Sequence, residues 1–318
     1  MICRRHPQSV TCRGPACYRP TGRRSMALHK KEQFHGGRSQ GRPVPPALRF
    51  MRFMFATLGP FFPGLMGRWA CRLWFRTRRF PESAAGKRIA RSAQHDTLLV
   101  DNIPIALYTW GTGPVVLFVH GWSGRGSQVT AFVEPLTAAG FQVVAVDAPG
   151  HGETPGDSTN ILECAAVLQA VGAHYGPVYA VLTHSFGGMV LAYALNQGMS
   201  VERVVSISAP AQVEYLMEGF ARTLAIPEIV IAEMQKIIDQ RFTGSLWERL
   251  STVHNVQNLA VPALIIHDKD DVSVSWQQGR MIADAWPGAR FMKTSGLGHG
   301  RILRDRQVVK AAVEFISE

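Results

Sequence analysis

From about residue 95 onward, short apolar runs alternate with longer stretches in which apolar positions recur every third or fourth residue. The first pattern predicts strands and the second helices, because side chains repeat with period two along a strand and about 3.6 along a helix. The runs at 115–119, 141–146, 178–182, 203–207, 263–267 and 290–293 read as strands. Residues 127–139, 160–174, 189–196, 276–286 and 305–316 read as helices. Segments 98–100 and 105–110, joined by a turn at 101–104, read as an antiparallel hairpin opening the sheet. Repeated β-α-β units with short connections imply right-handed crossovers, and so an α/β fold with a doubly wound, mainly parallel sheet. Strands of such a sheet are covered on both faces, which explains their nearly unbroken apolar character. The alternation stops between 211 and 259, where helical patterns at 212–224 and 228–242 follow one another without a strand. At about 50 residues this is longer than an ordinary connection and predicts an inserted helical cap.

Composition sharpens the picture only after it is divided along the chain. The 318 residues are 46% hydrophobic and 18% charged, which excludes a mostly disordered polypeptide and a disulfide-stapled miniature domain. A formal charge of +11 points to a nucleic-acid or membrane ligand, yet residues 1–92 hold 20 Lys and Arg against 2 Asp and Glu, and residues 93–318 carry a net −7. The main domain is mildly acidic, and nucleic-acid binding has no support beyond the basic N-terminal segment. The expected organisation is a basic, disordered tail at 1–47, a basic amphipathic arm at 48–92, and the α/β domain at 93–318 with its cap at about 211–259.

Of five cysteines, Cys3, Cys12 and Cys17 lie in the tail, while Cys71 and Cys164 stand alone. An odd count is a poor disulfide framework and points to a reducing, cytoplasmic compartment. Cys12 and Cys17 lack a second Cys or His pair at ligand spacing, so no zinc site is expected there. Residues 1–47 contain no apolar stretch of the kind a secretory signal needs. In 49–80 the uncharged run 53–67 is 15 residues long and holds Pro60 and Pro63, too short and too broken to span a bilayer. Arginines flank and interleave its aromatics, a composition that fits peripheral membrane contact. An arm packed on the main domain, with its arginines in solvent, is the reading favoured over membrane contact, because basic apolar segments are common.

Ligands of open α/β sheets bind at the carboxyl ends of the strands. Ser185 is placed there, in Thr183-His184-Ser185-Phe186-Gly187-Gly188, on a tight strand-to-helix turn whose glycines allow helix and sheet to approach closely. A serine hydroxyl needs a base, and the base needs an orienting acid. His299 follows the last strand, and Asp271 follows the preceding one within His267-Asp268-Lys269-Asp270-Asp271-Val272-Ser273-Val274. Register favours Asp271, with Asp270 as the alternative acid.

These features stand in order with His120-Gly121-Trp122, Asp147-Ala148-Pro149-Gly150-His151-Gly152, Asp271-x-x-Val274 and Gly298-His299. Taken together, residues 95–318 resemble the α/β-hydrolase superfamily, in its serine-nucleophile, esterase- and lipase-like branch. The resemblance implies Ser185 as nucleophile, His299 as general base and then acid, and Asp271 as the residue orienting the imidazole. It also implies an oxyanion hole from the backbone N–H groups of Trp122 and Phe186, and no metal or organic cofactor. A serine at this turn argues against the haloalkane dehalogenase and epoxide hydrolase branches, which use aspartate.

Two positions depart from the family pattern. Thr183 replaces the first glycine of Gly-x-Ser-x-Gly, leaving open whether Ser185 shifts or the change is tolerated, and Ser275 stands where proline is common. His120, His151 and His184 are expected to bond loop backbone, and His267 to pack at a strand end. Arg125 and Gln128 have either a structural role or a substrate contact. The apolar cap positions, Leu216, Met217 and Phe220 among them, are expected to be cap core, a few of them lining an acyl pocket. The leading expectation is a serine hydrolase, a carboxylesterase acting on a small-molecule carboxylic ester or thioester through an acyl-enzyme. Acyl transfer on the same triad and a non-catalytic ligand-binding homologue are the alternatives.

Overall fold

The structure is a computed structural model that describes residues 44–242 and 247–318. The tail cysteines and most of the basic tail lie outside the described residues. Three helices come first, α1 (Pro46–Leu58), α2 (Pro63–Phe75) and α3 (Ala84–Arg91). The sheet is then built from β1 (Gln94–Val100), β2 (Ile103–Trp110), β3 (Val115–Val119), β4 (Gln142–Val146), β5 (Val178–His184), β6 (Val201–Ile207), β7 (Ala263–Asp268) and β8 (Arg290–Thr294). Its order is β1-β2-β4-β3-β5-β6-β7-β8, with β1/β2 and β2/β4 antiparallel and every later pair parallel. This is the expected α/β architecture.

The helices that complete the main domain are α4 (Thr130–Ala138), α5 (Ile161–Tyr175), α6 (Phe186–Asn196), α7 (Val213–Leu224), α8 (Glu228–Arg241), the short α9 (Trp247–Leu250) and α10 (Thr252–Val256), α11 (Trp276–Ala285), α12 (Gly298–Arg301) and α13 (Arg306–Ser317). Alternate residues of β3 divide between the two faces of the sheet. Val115, Leu117 and Val119 pack with the cluster under α5, α6 and α11, and Val116 and Phe118 with the cluster under α4 and α13. Period-two geometry in a fully covered strand thus produces the continuous run Val-Val-Leu-Phe-Val.

The opening hairpin is tighter and longer than its apolar positions suggest. Asp101 and Asn102 both adopt positive φ, 47° and 64°, which closes a two-residue turn between Val100 and Ile103. Such turns favour short polar side chains that tolerate this conformation. The ladder extends β1 back to Gln94, whose polar, exposed residues at this sheet edge need only backbone pairing.

Residues 44–75 form two amphipathic helices lying against the cap. Pro46 and Pro63 stand at helix starts, where a missing N–H costs nothing and the fixed φ suits the helix. Phe55 of α1 and Met66, Ala70 and Cys71 of α2 share one buried cluster with Met217, Val230, Met234 and Ile238 of α7 and α8. Contact between α2 and α8 is close because Gly67 sits where a Cβ would stand 3.0 Å from the Glu233 Cβ. Cys71 Sγ lies 3.5 Å from the Met234 carbonyl oxygen, and burial pushes its thiol up to about 11. No helix among the described residues is long and apolar enough to cross a membrane.

Candidate active site

Ser185 ends β5 and opens α6 with φ 52° and ψ −121°, a left-handed conformation that costs a non-glycine residue about 1–3 kcal/mol. The surrounding packing imposes it. At Gly187 a Cβ would stand 2.4 Å from the Val119 carbonyl oxygen, and at Gly188 2.5 Å from the Ala209 Cβ. Helix α6 therefore rests directly on the ends of β3 and β6, and only the sharp turn at Ser185 connects it to β5. Thr183 is buried, with its hydroxyl 3.2 Å from that of Ser206 on β6. The methyl and hydroxyl fit beneath the turn, and Ser185 retains the sharp geometry despite the missing glycine.

Among the three acids after β7, the structure puts Asp271 on the histidine. Its Oδ2 lies 2.7 Å from His299 Nδ1, while Oδ1 accepts the N–H groups of Ser273 and Val274 at 2.8 and 2.9 Å. Asp270 instead accepts Gly296 N–H at 2.7 Å, and Asp268 accepts Leu297 N–H, Gly298 N–H and the Thr294 hydroxyl. Those two acids therefore brace the loop that carries His299. Burial raises the Asp271 pKa, but hydrogen bonds from His267 and His299 and from the Val274 backbone outweigh it and hold the carboxyl well below its ordinary range. An ionised Asp271 keeps the proton of His299 on Nδ1 and leaves Nε2 as a lone-pair acceptor.

His267 carries more than packing. Its Nε2 stands 2.9 Å from the Val274 carbonyl oxygen and 3.5 Å from Asp271 Oδ2, the same oxygen that meets His299, so it adds a second imidazole to the support of the acid. No motif marks it; the one signal in the sequence is its position four residues before Asp271. Ser275 has a reason to replace proline, because its N–H donates to the Tyr215 hydroxyl at 2.9 Å. A proline there would lose this tie between the acid loop and cap helix α7.

The other turn histidines hold backbone. His120 donates from Nδ1 to the Gly121 carbonyl at 2.8 Å and accepts Ala148 N–H on Nε2 at 3.1 Å. His151 donates to the Pro149 carbonyl at 2.9 Å and accepts Ser123 N–H at 2.9 Å. Both accept through a lone pair and so must be neutral, in keeping with burial lowering the His120 pKa and bringing that of His151 to about 4. His184 donates to the carbonyl of His299 at 2.9 Å, which ties the histidine loop to the residue before Ser185. Burial, with the neighbouring His299, lowers its pKa to about 3. Arg125 bonds the Phe80 carbonyl at 2.7 Å and pairs with Glu82 at 3.6 Å, and the Gln128 side chain accepts Arg125 N–H at 3.4 Å. Both are occupied in bracing structure.

Gly121 lies where a Cβ would stand 3.0 Å from that of Ser185, so the His120-Gly121-Trp122 turn passes directly over the serine. The N–H groups of Trp122 and Phe186 find no acceptor among the described residues, and both point from chain segments that flank Ser185. Beyond the serine opens a cavity of about 300 Å³. Trp122 and Phe186 frame it with rings 4.9 Å apart, edge to face. Leu216 and Phe220 of the cap line it, whereas Met217 is cap core. One wall was not expected: Leu73, Trp74 and Phe75, the last turn of α2, also line the cavity. Trp74 packs edge-on against Phe220 at 5.2 Å, and Arg241 lies 5.3 Å above the Phe75 ring. Among the described residues no charged side chain lines this space, and the polar lining includes Thr159, Asn160 and Ser185.

A family model described as "Alpha/beta hydrolase family" matches residues 116–312. Among curated proteins, a pimeloyl-(acyl-carrier protein) methyl ester esterase of Xanthomonas axonopodis pv. citri is 27% identical over 136 residues, covering 43% of this chain and 51% of its own length. A lysophosphatidylserine lipase of Macaca fascicularis is 25% identical over 232 residues, covering 64% and 56%. The chain spans about half the length of these curated relatives. Among solved structures, an esterase from Exiguobacterium antarcticum superposes with a TM-score of 0.56 at 18% identity, covering 71% of this chain and 100% of that one. A bromoperoxidase from Bacillus anthracis superposes equally well, with a TM-score of 0.55, 18% identity and the same coverage. At such identity the likeness is one of fold, and the two names show how different the activities on that fold are.

Proposed function

Because the chain belongs to the alpha/beta hydrolase family, we propose that it is a serine hydrolase that cleaves a carboxylic ester or thioester with an uncharged, apolar acyl group. The observation that carries this reading is the His299–Asp271 pair, 2.7 Å apart, on a loop whose His299 carbonyl accepts from His184, the residue before Ser185; the strained Ser185 lines a cavity with no charged side chain among the described residues. Relatives named as an esterase and a lipase support it.

In the proposed reaction Ser185 Oγ attacks the carbonyl carbon and its proton passes to His299 Nε2. The electron pair of the C=O bond moves onto oxygen, which the N–H groups of Trp122 and Phe186 receive. Losing one such donor typically costs roughly 100- to 1,000-fold in rate. When the tetrahedral adduct collapses, the alcohol or thiol leaves with the proton from His299, and the acyl group stays on Ser185. Water then attacks the acyl-enzyme, gives its proton to His299, and the acid departs as Ser185 regains its hydrogen. Asp271 holds the imidazole in the required tautomer and stabilises the imidazolium in each half-reaction.

Labelling with a fluorophosphonate probe tests this directly. The wild-type chain is expected to react, and Ser185→Ala and His299→Ala are expected to lose both labelling and turnover of p-nitrophenyl esters. A folded wild type that neither labels nor turns over any ester in a chain-length series would reject the enzyme reading in favour of a ligand-binding protein.

A further inference from the structure

We propose that the turn between α1 and α2 is a docking site for an anionic phospholipid surface. Seven of the ten large hydrophobic side chains exposed among the described residues belong to residues 44–80. Three of the seven stand where the two helices meet, Phe61 (77% exposed), Phe62 (56%) and Leu65 (61%), and Ile229 of the adjoining α8, 50% exposed, joins them. Packing places Ile229 beside the turn, because a Cβ at Gly59 would stand 3.0 Å from Pro227 and 3.1 Å from Val230. The turn is thus held firmly on α8 and presents its aromatics outward.

Charge identifies the occupant. Residues 44–81 contain seven arginines and no acidic residue. On α2, Leu65, Arg68 and Arg72 follow one another at spacings of three and four, on the face opposite buried Met66, Ala70 and Cys71. Arg68 and Arg72 form no ion pair among the described residues. With about 1.5 Å of rise per residue, they stand roughly 5 and 10 Å behind Leu65. Apolar groups that enter the headgroup–acyl boundary do so to a depth of about 5–10 Å. When the tip is seated, both guanidinium groups therefore lie level with the lipid phosphates, where basic residues are attracted to anionic headgroups. A protein partner of ordinary interface composition would need matching acids as well as an apolar pocket; an anionic bilayer supplies both in one surface. The arrangement also sets the cavity close by, because the same helix that carries the tip lines the cavity with its last turn.

The test is co-sedimentation of the full chain with phosphatidylcholine vesicles, with and without an equal share of phosphatidylglycerol. The wild type is expected to pellet with the anionic vesicles. Phe61→Ser/Phe62→Ser/Leu65→Ser is expected to bind them roughly tenfold more weakly or worse, given the apolar area removed. Arg68→Glu/Arg72→Glu is expected to lose its preference for anionic over neutral vesicles. None of these residues lines the cavity, so hydrolysis of a soluble ester is expected to be unchanged in both variants, which separates this idea from the proposed catalysis. The basic tail is identical in every variant, so a triple serine variant that pellets like the wild type would assign binding to the tail and overturn the proposal. A wild type that stays in solution with both vesicles would do the same. So would a dimer of the wild type that the serine variant converts to monomer without any vesicle binding, which would make the face a self-association surface.

Discussion

The sheet edge bearing Ser185, Asp271 and His299 and the helical roof above it are held together by different forces. At the edge hydrogen bonds do most of the holding, although the buried His184 Nδ1, His267 Nδ1 and Ser208 Oγ have no partner among the described residues. Asp268, Asp270 and Asp271 accept eight hydrogen bonds between them from the loops after β7 and β8, or within them, and the turn histidines take up neighbouring backbone. In the roof, α1, α2, α7 and α8 meet through Phe55, Met66, Met217 and Met234, and few specific bonds cross between them. Directional bonding demands particular residues at particular places, whereas apolar packing asks only for volume and period. The first region therefore tolerates little change, and the second offers room to alter which substrate is held.

The comparison can be broken most severely at the acid. Asp271→Asn is expected to lower kcat/KM for a soluble ester about 10⁴-fold, near 5.5 kcal/mol, by removing the charge that fixes the imidazole tautomer. Asp270→Asn, which touches only Gly296 N–H, is expected to cost tenfold or less. Equal losses in the two variants would contradict the division of roles among these acids.

Acid provides the next test, because the neutral histidines sit at the edge rather than in the roof. His184 and His151 have folded pKa values lowered from 6.5 to about 3 and about 4. Below pH 6.5 the unfolded chain takes up two protons that the folded chain does not. Stability is therefore complete above that pH and falls as the pH drops from 6.5 toward 4, by up to about 2.7 kcal/mol per pH unit from this pair. Urea midpoints measured between pH 7 and 4.5 are expected to fall at least this steeply, since buried His120 acts in the same direction, and His184→Gln is expected to remove its own share, up to about 1.4 kcal/mol per pH unit. A midpoint that stays flat over that range would contradict the burial of these rings.

The smallest effect sharpens the comparison from the other side. Trp74→Ala removes part of the cavity wall without touching the triad, and fluorophosphonate labelling of Ser185 is expected to persist. In a p-nitrophenyl ester series the selectivity between short and long acyl chains is expected to shift by about tenfold, near 1.4 kcal/mol, the scale of lost hydrophobic contact in a pocket. An unchanged profile would mean that the acyl group lies elsewhere.

The same division explains what could be read from the sequence. The succession of strands and helices along the chain, the turn at Ser185 and the loops bearing Asp271 and His299 were legible because short glycine-rich turns and buried β-branched runs have few alternative structures. The wall formed by Leu73, Trp74 and Phe75 was not, since an amphipathic helix announces that it has an apolar face without announcing what covers it. His267 escaped for a related reason: a histidine at a strand end looks alike whether it packs or supports an acid. Thr183 shows the converse. A departure visible in the sequence proved local, because Ser206 offers its hydroxyl a partner across the strand.

The contact between Cys71 and the Met234 carbonyl joins residues 163 positions apart, and that separation has a price during synthesis. At about 5–20 residues per second, α8 leaves the ribosome roughly eight to thirty seconds after α2. For that interval the nascent chain displays a sticky helical pair with nothing to cover it, long before β7 or β8 exists to complete the sheet. A polypeptide that makes α1 and α2 so long before α8 must keep that half of its roof out of aggregates until the other half is translated.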